Sequence, residues 1–168
     1  LTQLETPHDV TITSLKLAKE NDCITILNPA PAREIAESDF KFIDYFTPNE
    51  TEAEFYLNQK LNSDDDIKDA ASKFLDKGVK NIIITLGKKG AYFANNEQNF
   101  FIRSHNLKEK VIDTTGAGDV FNGALAFSLA NDTTIKDAII FANKVAGIST
   151  TRLGAANSVP TLNEVVSY

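Results

Sequence analysis

The sequence predicts an α/β fold in three layers, with a mostly parallel sheet covered by helices on both faces. Two observations carry this. Short apolar runs such as Ile24-Thr-Ile-Leu27 and Asn81-Ile-Ile-Ile-Thr85 read as buried strands. They alternate with longer stretches whose apolar residues recur at helical spacing, the pattern of strand–helix–strand units. In such a sheet, ligands gather at the carboxyl ends of the strands.

Taken in order, Leu1-Thr-Gln-Leu-Glu5 reads as the end of a strand running into a Thr-Pro turn. Ile12, Leu15 and Ala18 give the first helix, followed by strands at 24–27 and at Asp44-Tyr-Phe-Thr47. A helix from Glu50 carries Ala53 and Leu57. Ser63 is an N-cap with Asp64, Asp65 and Asp66 in the first turn, and Ile67, Ala70, Ala71, Phe74 and Leu75 keep helical spacing up to Gly78. Strand 81–85 follows. Two shorter strands near Ala91–Ala94 and Asn99–Ile102 flank the hairpin-like turn Asn95-Asn-Glu-Gln98. An amphipathic helix then opens at Asp119, with Val120, Phe121, Ala124, Leu125, Phe127 and Leu129, and stops at Asn131-Asp132. Ile135, Ala138, Ile139, Ala142, Val145 and Ala146 give the last long helix. No repeat, low-complexity run or linker interrupts residues 1–168, which read as one domain or most of one.

Composition narrows the function. A net charge of −6 disfavours a nucleic-acid or anionic-membrane surface, which needs clustered Lys and Arg, and points to small-molecule chemistry. The single cysteine, Cys23, permits no internal disulfide and fits a reducing compartment. Beside the run 24–27 it reads as a small strand hydrophobe. No basic start leads into an apolar run, and no segment approaches a membrane span, so a cytoplasmic location is expected. His8 and His105 have no partners at ligand spacing.

The most informative stretch is Asp113-Thr-Thr-Gly-Ala-Gly-Asp119. It puts the backbone N–H groups of Gly116, Ala117 and Gly118 at the positive end of a helix, where an anion, most readily a phosphate, is favoured. Asp119 stands beside them as a base. An anion cradle next to a base suits phosphoryl transfer to an alcohol, where the transferred group needs charge stabilisation and the nucleophile must lose a proton. The bland alternative is a tight turn before a helix, with an acid that serves only the dipole. The spacing is neither the Walker loop nor the dinucleotide fingerprint, whose third glycine position is Phe121 here.

Asp113-Thr-Thr-Gly-Ala-Gly-Asp-Val-Phe-Asn-Gly-Ala124 resembles the C-terminal signature of the ribokinase (PfkB) family of sugar kinases. Asn28-Pro-Ala-Pro-Ala-Arg33, Thr47-Pro-Asn-Glu-Thr-Glu-Ala-Glu54, Ile84-Thr-Leu-Gly87 with Gly90, and Thr151-Arg-Leu-Gly-Ala155 through Ser158-Val-Pro160 resemble further segments of that family, in the family's order. Ordered matches are more specific than any one alone. They imply a Rossmann-like, ribokinase-like αβα fold, with residues 1–168 as its C-terminal, nucleotide-binding part. The upstream sugar-binding and lid segments of the family have no counterpart here. The absence of Met agrees with that expectation.

The resemblance also implies roles. Asn49 lies near the nucleotide phosphates and Glu52 orders Mg²⁺ through water, although Asn49 and Glu52 also have the spacing of a helix capping box. Thr85 and Gly87 line the nucleotide site, with Lys88 and Lys89 solvated in a plain turn as the simpler reading. Asn143 faces the adenine. A K⁺ site is built from oxygens of Asp113, Thr115, Ser149, Arg152, Gly154 and Ser158, several of them backbone; sequence does not separate K⁺ from Na⁺ or from an empty loop. Glu5 contacts the sugar, and Asp119 takes the proton from the sugar hydroxyl while 116–118 stabilise the phosphoryl. The expected activity is ATP-dependent phosphorylation of D-ribose at the 5-hydroxyl. The alternatives are another kinase of the family acting on deoxyribose, a fructose derivative or a nucleoside, or a nucleotide-binding module without catalysis. The expected partners are a small sugar and ATP, not nucleic acid or membrane, and a homodimer is a candidate assembly of a full-length protein. The 168-residue chain alone is expected to bind adenine nucleotide weakly and to phosphorylate ribose negligibly.

Overall fold

The computed structural model describes residues 1–105 and 109–168. The chain divides into two units, Leu1–Leu86 with Tyr92–Phe101, and Gly87–Ala91 with Ile102–Tyr168.

The first unit holds helix α1 (His8–Glu20), strands β1 (Ile26–Leu27) and β2 (Tyr45–Phe46), helices α2 (Glu50–Leu57) and α3 (Asp64–Asp76), and strand β3 (Asn81–Thr85). Strands β4 (Ala91–Ala94) and β5 (Asn99–Ile102) complete a five-stranded sheet in the order β1-β2-β3-β4-β5. β1, β2 and β3 run parallel, with Ile26 opposite Tyr45 and Tyr45 opposite Asn81. Thr2 adds a parallel bridge to Leu27, as expected for the end of a strand. The turn 95–98 closes on Asn95 N–H donating to Gln98 O at 3.0 Å.

Four residues of β3 are buried, because its apolar side chains point to both faces. Phe46 and Phe74 meet edge to face at 5.2 Å between centroids, and Phe40 and Tyr56 pack around Phe46. Each such ring contributes about 1.5–3 kcal/mol through burial. This aromatic cluster anchors β2 through Phe46, and the parallel pairing of β2 with β3 carries that order to the turns at their carboxyl ends. Ser63 is the expected N-cap of α3, and Asp66 returns a bond to its backbone to make the cap a capping box. Asp44 closes the amino end of β2. Burial would raise its pKa, but bonds from Lys19 and Thr25 outweigh burial and hold it below the usual value.

The second unit is helical: α4 (Ala117–Ala130), α5 (Ile135–Ser149) and α6 (Leu162–Ser167). Val120, Val145, Ile148 and Val165 form its small apolar core.

The structure corrects three expectations. α4 begins at Ala117, with Gly116 as its N-cap, so Asp119 lies inside the first turn rather than opening the helix. α4 is also not cleanly amphipathic, since Phe127 is 52% exposed while Leu125 is fully buried. Cys23 is exposed and precedes β1, because the strand is shorter at its amino end than the apolar run that suggested it. The 3₁₀ turns Glu37–Phe42 and Ala156–Ser158, and the short helix α6, carry too few residues for a period to be read. No described helix is long and apolar enough to cross a membrane.

Candidate active site

In the first unit, candidate residues meet at the carboxyl ends of β2 and β3. Asn49 caps α2 by accepting from the backbone N–H of Glu52 at 2.8 Å, and Glu52 Oε2 accepts from Asn49 N–H at 2.8 Å. Asn49 is bridged to Thr85, whose N–H donates to Pro48 O at 2.9 Å. Asn49, Glu52 and Thr85 are therefore brought together by one cap and one bridge. Burial pushes the Glu52 carboxyl up from its usual value, partly offset by the Asn49 N–H. The capping box uses Oε2 and leaves Oε1 outside it. Glu5 is exposed just past Leu4, whose N–H is tied to Ala30 O at 3.0 Å.

In the second unit the 112–119 loop is built by long-range bonds. Ile112 and Asp113 N–H groups both donate to Thr150 O, at 2.8 and 3.1 Å. Asp113 Oδ1 accepts from Thr115 N–H at 2.9 Å, and Oδ2 from Gly154 N–H at 3.0 Å. The Thr115 hydroxyl, the Thr115 N–H and the Gly154 N–H together hold the Asp113 carboxyl at about 2. Ala117 N–H then returns to Thr114 O at 3.2 Å, which places Gly116 third in a tight turn at φ +74. A positive φ there suits glycine and strains other residues. The expected run of bare N–H groups is thus interrupted at Ala117. Asp119 is exposed, and its Oδ2 lies 3.9 Å from where a Cβ on Gly116 would stand.

The same unit holds the remaining candidates. Gly87 opens an exposed turn at φ +53, with Lys88 and Lys89 exposed as expected. Gly90 closes that turn where a Cβ would stand 2.0 Å from Ile102 O, so only glycine fits. Asn143, on α5, has a buried Nδ2 with no hydrogen-bond partner among the described residues. An orphaned buried donor of this kind suits a ligand acceptor such as a ring nitrogen. Ser149 and Ser158 are buried, their hydroxyls donating to Ala146 O and Ala155 O at 2.8 and 2.7 Å, so both oxygens retain lone pairs for a cation. The Arg152 guanidinium, a cation paired with Glu164, has no acceptor for a cation, so only its backbone carbonyl could serve that purpose. Asp113 with these hydroxyl and carbonyl oxygens is an all-oxygen, singly charged set, which fits a hard monovalent cation. Among the described residues, no group of three or more His, Cys, Asp or Glu could hold a metal.

Sequence reasoning missed Ala155 and Glu164. Ala155 Cβ would lie 3.1 Å from a Cβ on Gly116, so the two loops touch. Gly116 and Asp119 also line one end of a cleft of about 600 Å³, walled by Val120, Phe127, Phe141 and Val145. Those walls are too apolar to recognise a sugar.

The family model described as pfkB family carbohydrate kinase matches residues 1–162. This chain belongs to the PfkB family. It is 41% identical over 164 residues to the ribokinase of Staphylococcus aureus (strain COL), covering 97% of this chain and 53% of that protein. Against the deoxyribokinase of Salmonella typhi, identity is 33% over 167 residues, covering 99% and 54%. Arabidopsis thaliana ribokinase, solved with ribose and ATP, superposes with a TM-score of 0.94 at 28% identity, covering 98% of this chain and 53% of that one. Thermotoga maritima ribokinase gives 0.85 at 40% identity, covering 98% and 54%. The αβα, ribokinase-like fold class is therefore established, and the chain spans about half the length of the PfkB relatives it matches.

Proposed function

We propose that this chain is the C-terminal, nucleotide- and phosphoryl-handling part of an ATP-dependent sugar kinase that phosphorylates D-ribose at its 5-hydroxyl. The observation that carries the reading is the 113–119 loop: a tight glycine turn at the positive end of a 14-residue helix, with a carboxylate in its first turn. The ribokinases among its relatives support ribose as the acceptor.

In this mechanism Asp119 accepts the proton of the sugar hydroxyl as the hydroxyl oxygen attacks the γ-phosphorus and ADP leaves. The backbone N–H groups of Gly116 and Gly118, flanking Ala117 whose N–H is held by Thr114 O, and the α4 dipole stabilise the negative charge of the transferring phosphoryl. Asn49, Thr85 and Gly87 hold the nucleotide, Asn143 donates to its base, and Glu5 orients the sugar. Glu52 would hold Mg²⁺ through water, and the ion would neutralise phosphate charge. Asp113, Thr115, Ser149, Arg152, Gly154 and Ser158 would hold K⁺.

The test is ADP release by the natural polypeptide with ribose, deoxyribose, fructose derivatives and nucleosides. Ribose-dependent turnover that rises when Na⁺ or Tris is exchanged for K⁺ is expected. Inactivity across all acceptors, with ATP still bound, would favour a binding module instead.

A further inference from the structure

Within the second unit, a chain of contacts leads from α6 to the phosphoryl-handling loop. Glu164 Oε2 accepts from Thr161 N–H at 2.7 Å and Thr161 Oγ1 at 2.9 Å, closing the capping box of α6. Its other oxygen, Oε1, accepts from Arg152 Nη2 at 2.8 Å. Arg152 stands two residues before Gly154, which donates to Asp113 Oδ2, while Asp113 Oδ1 takes the N–H of Thr115 beside Gly116. An apolar contact runs in parallel: Val165 is 3% exposed and shares a core with Val120, the neighbour of Asp119. Glu164 lies outside the matched family region, 1–162.

We propose that Glu164 is a positioning residue for phosphoryl transfer: by holding Arg152 it steadies the 152–154 turn, and through Gly154 and Asp113 it fixes the backbone of 115–118. This rests on the reading of that loop as the phosphoryl site. An ion pair as exposed as this one, with side chains 35% and 46% accessible, adds little to global stability. Its effect is local, because one carboxylate joins a helix cap to a loop that has no regular structure of its own. The Thr161 cap holds the carboxylate in place, so the position of Arg152 is set by α6 rather than by its own flexible stem.

The experiment pairs hydrogen–deuterium exchange with kinetics in the natural polypeptide. Glu164→Gln keeps an acceptor for the cap and removes the charge that Arg152 needs, so α6 should stay protected. Exchange across 113–119 should become about threefold faster or more, and kcat should fall about 3- to 10-fold, with the KM for ATP within about twofold. Arg152→Met should reproduce both effects, and the double variant should add nothing further. Unchanged exchange across 113–119 in both single variants, or fully additive effects in the double, overturns the proposal. Faster exchange in a protein with no sugar-kinase turnover supports the positioning link and overturns only the assigned chemistry. Normal kcat alongside faster exchange overturns the catalytic consequence. A thermal midpoint that drops in step with kcat while exchange is unchanged marks a purely structural pair and overturns it as well.

Discussion

The turn at 49–52 and the loop at 113–119 occupy the same kind of place, each leading into a helix, but they are secured differently. The first closes on itself: Asn49 and Glu52 exchange two bonds three residues apart, over a sheet packed on aromatic rings. The second is held from a distance, by Thr150 and Gly154, with Ala155 close beside Gly116. A locally closed turn is indifferent to what happens elsewhere in its unit. A loop held by remote partners takes its geometry from them, and the site at Gly116 inherits any shift in the 150–155 segment.

The largest expected effect is at the second loop. Asp119→Asn should lower turnover by a factor of about 10² to 10⁴ while ATP binding, measured by titration calorimetry, survives. Near-normal turnover would remove Asp119 as the base. Gly116→Ala forces a side chain into a positive-φ turn and toward Ala155; it should cost about 1–2 kcal/mol by thermal unfolding and slow phosphoryl transfer. Asn49→Ala should cost about 1 kcal/mol through the lost cap, with the loss confined to α2 in exchange measurements. Should exchange in 113–119 respond equally to Asn49→Ala, the contrast between local and remote securing fails.

The smallest effect is in pH, and the two regions should respond with opposite sign. Asp113 has a depressed pKa of about 2, so its bonds are fully present above the ordinary carboxylate range and are lost as pH falls through about 2; the Gly154 amide, followed by NMR, should shift there. Glu52 is raised by burial, so its ionisation weakens the folded state as pH rises from the ordinary Glu value through its elevated pKa. Titration of Glu52 at or below the ordinary Glu value would remove the contrast.

What the sequence determined by itself was the set of features written in short intervals. The capping box at Asn49, the N-cap at Ser63, the apolar strand 81–85, the 95–98 turn and the long helices each depend on residues a few positions apart, so their physics is local. The ordered motifs likewise led to the family that residues 1–162 match. The tertiary structure decided what depends on partners far along the chain. Asp113 finds Gly154 across 41 residues, Arg152 finds Glu164, Gly116 meets Ala155, and Ala117 spends its N–H on Thr114. It also decided that Cys23 is exposed and that Phe127 on α4 stays exposed while Leu125 is buried. Periodicity records which residues share a face; which neighbour covers that face, and which donor reaches a given carboxylate, is fixed only when distant segments pack together.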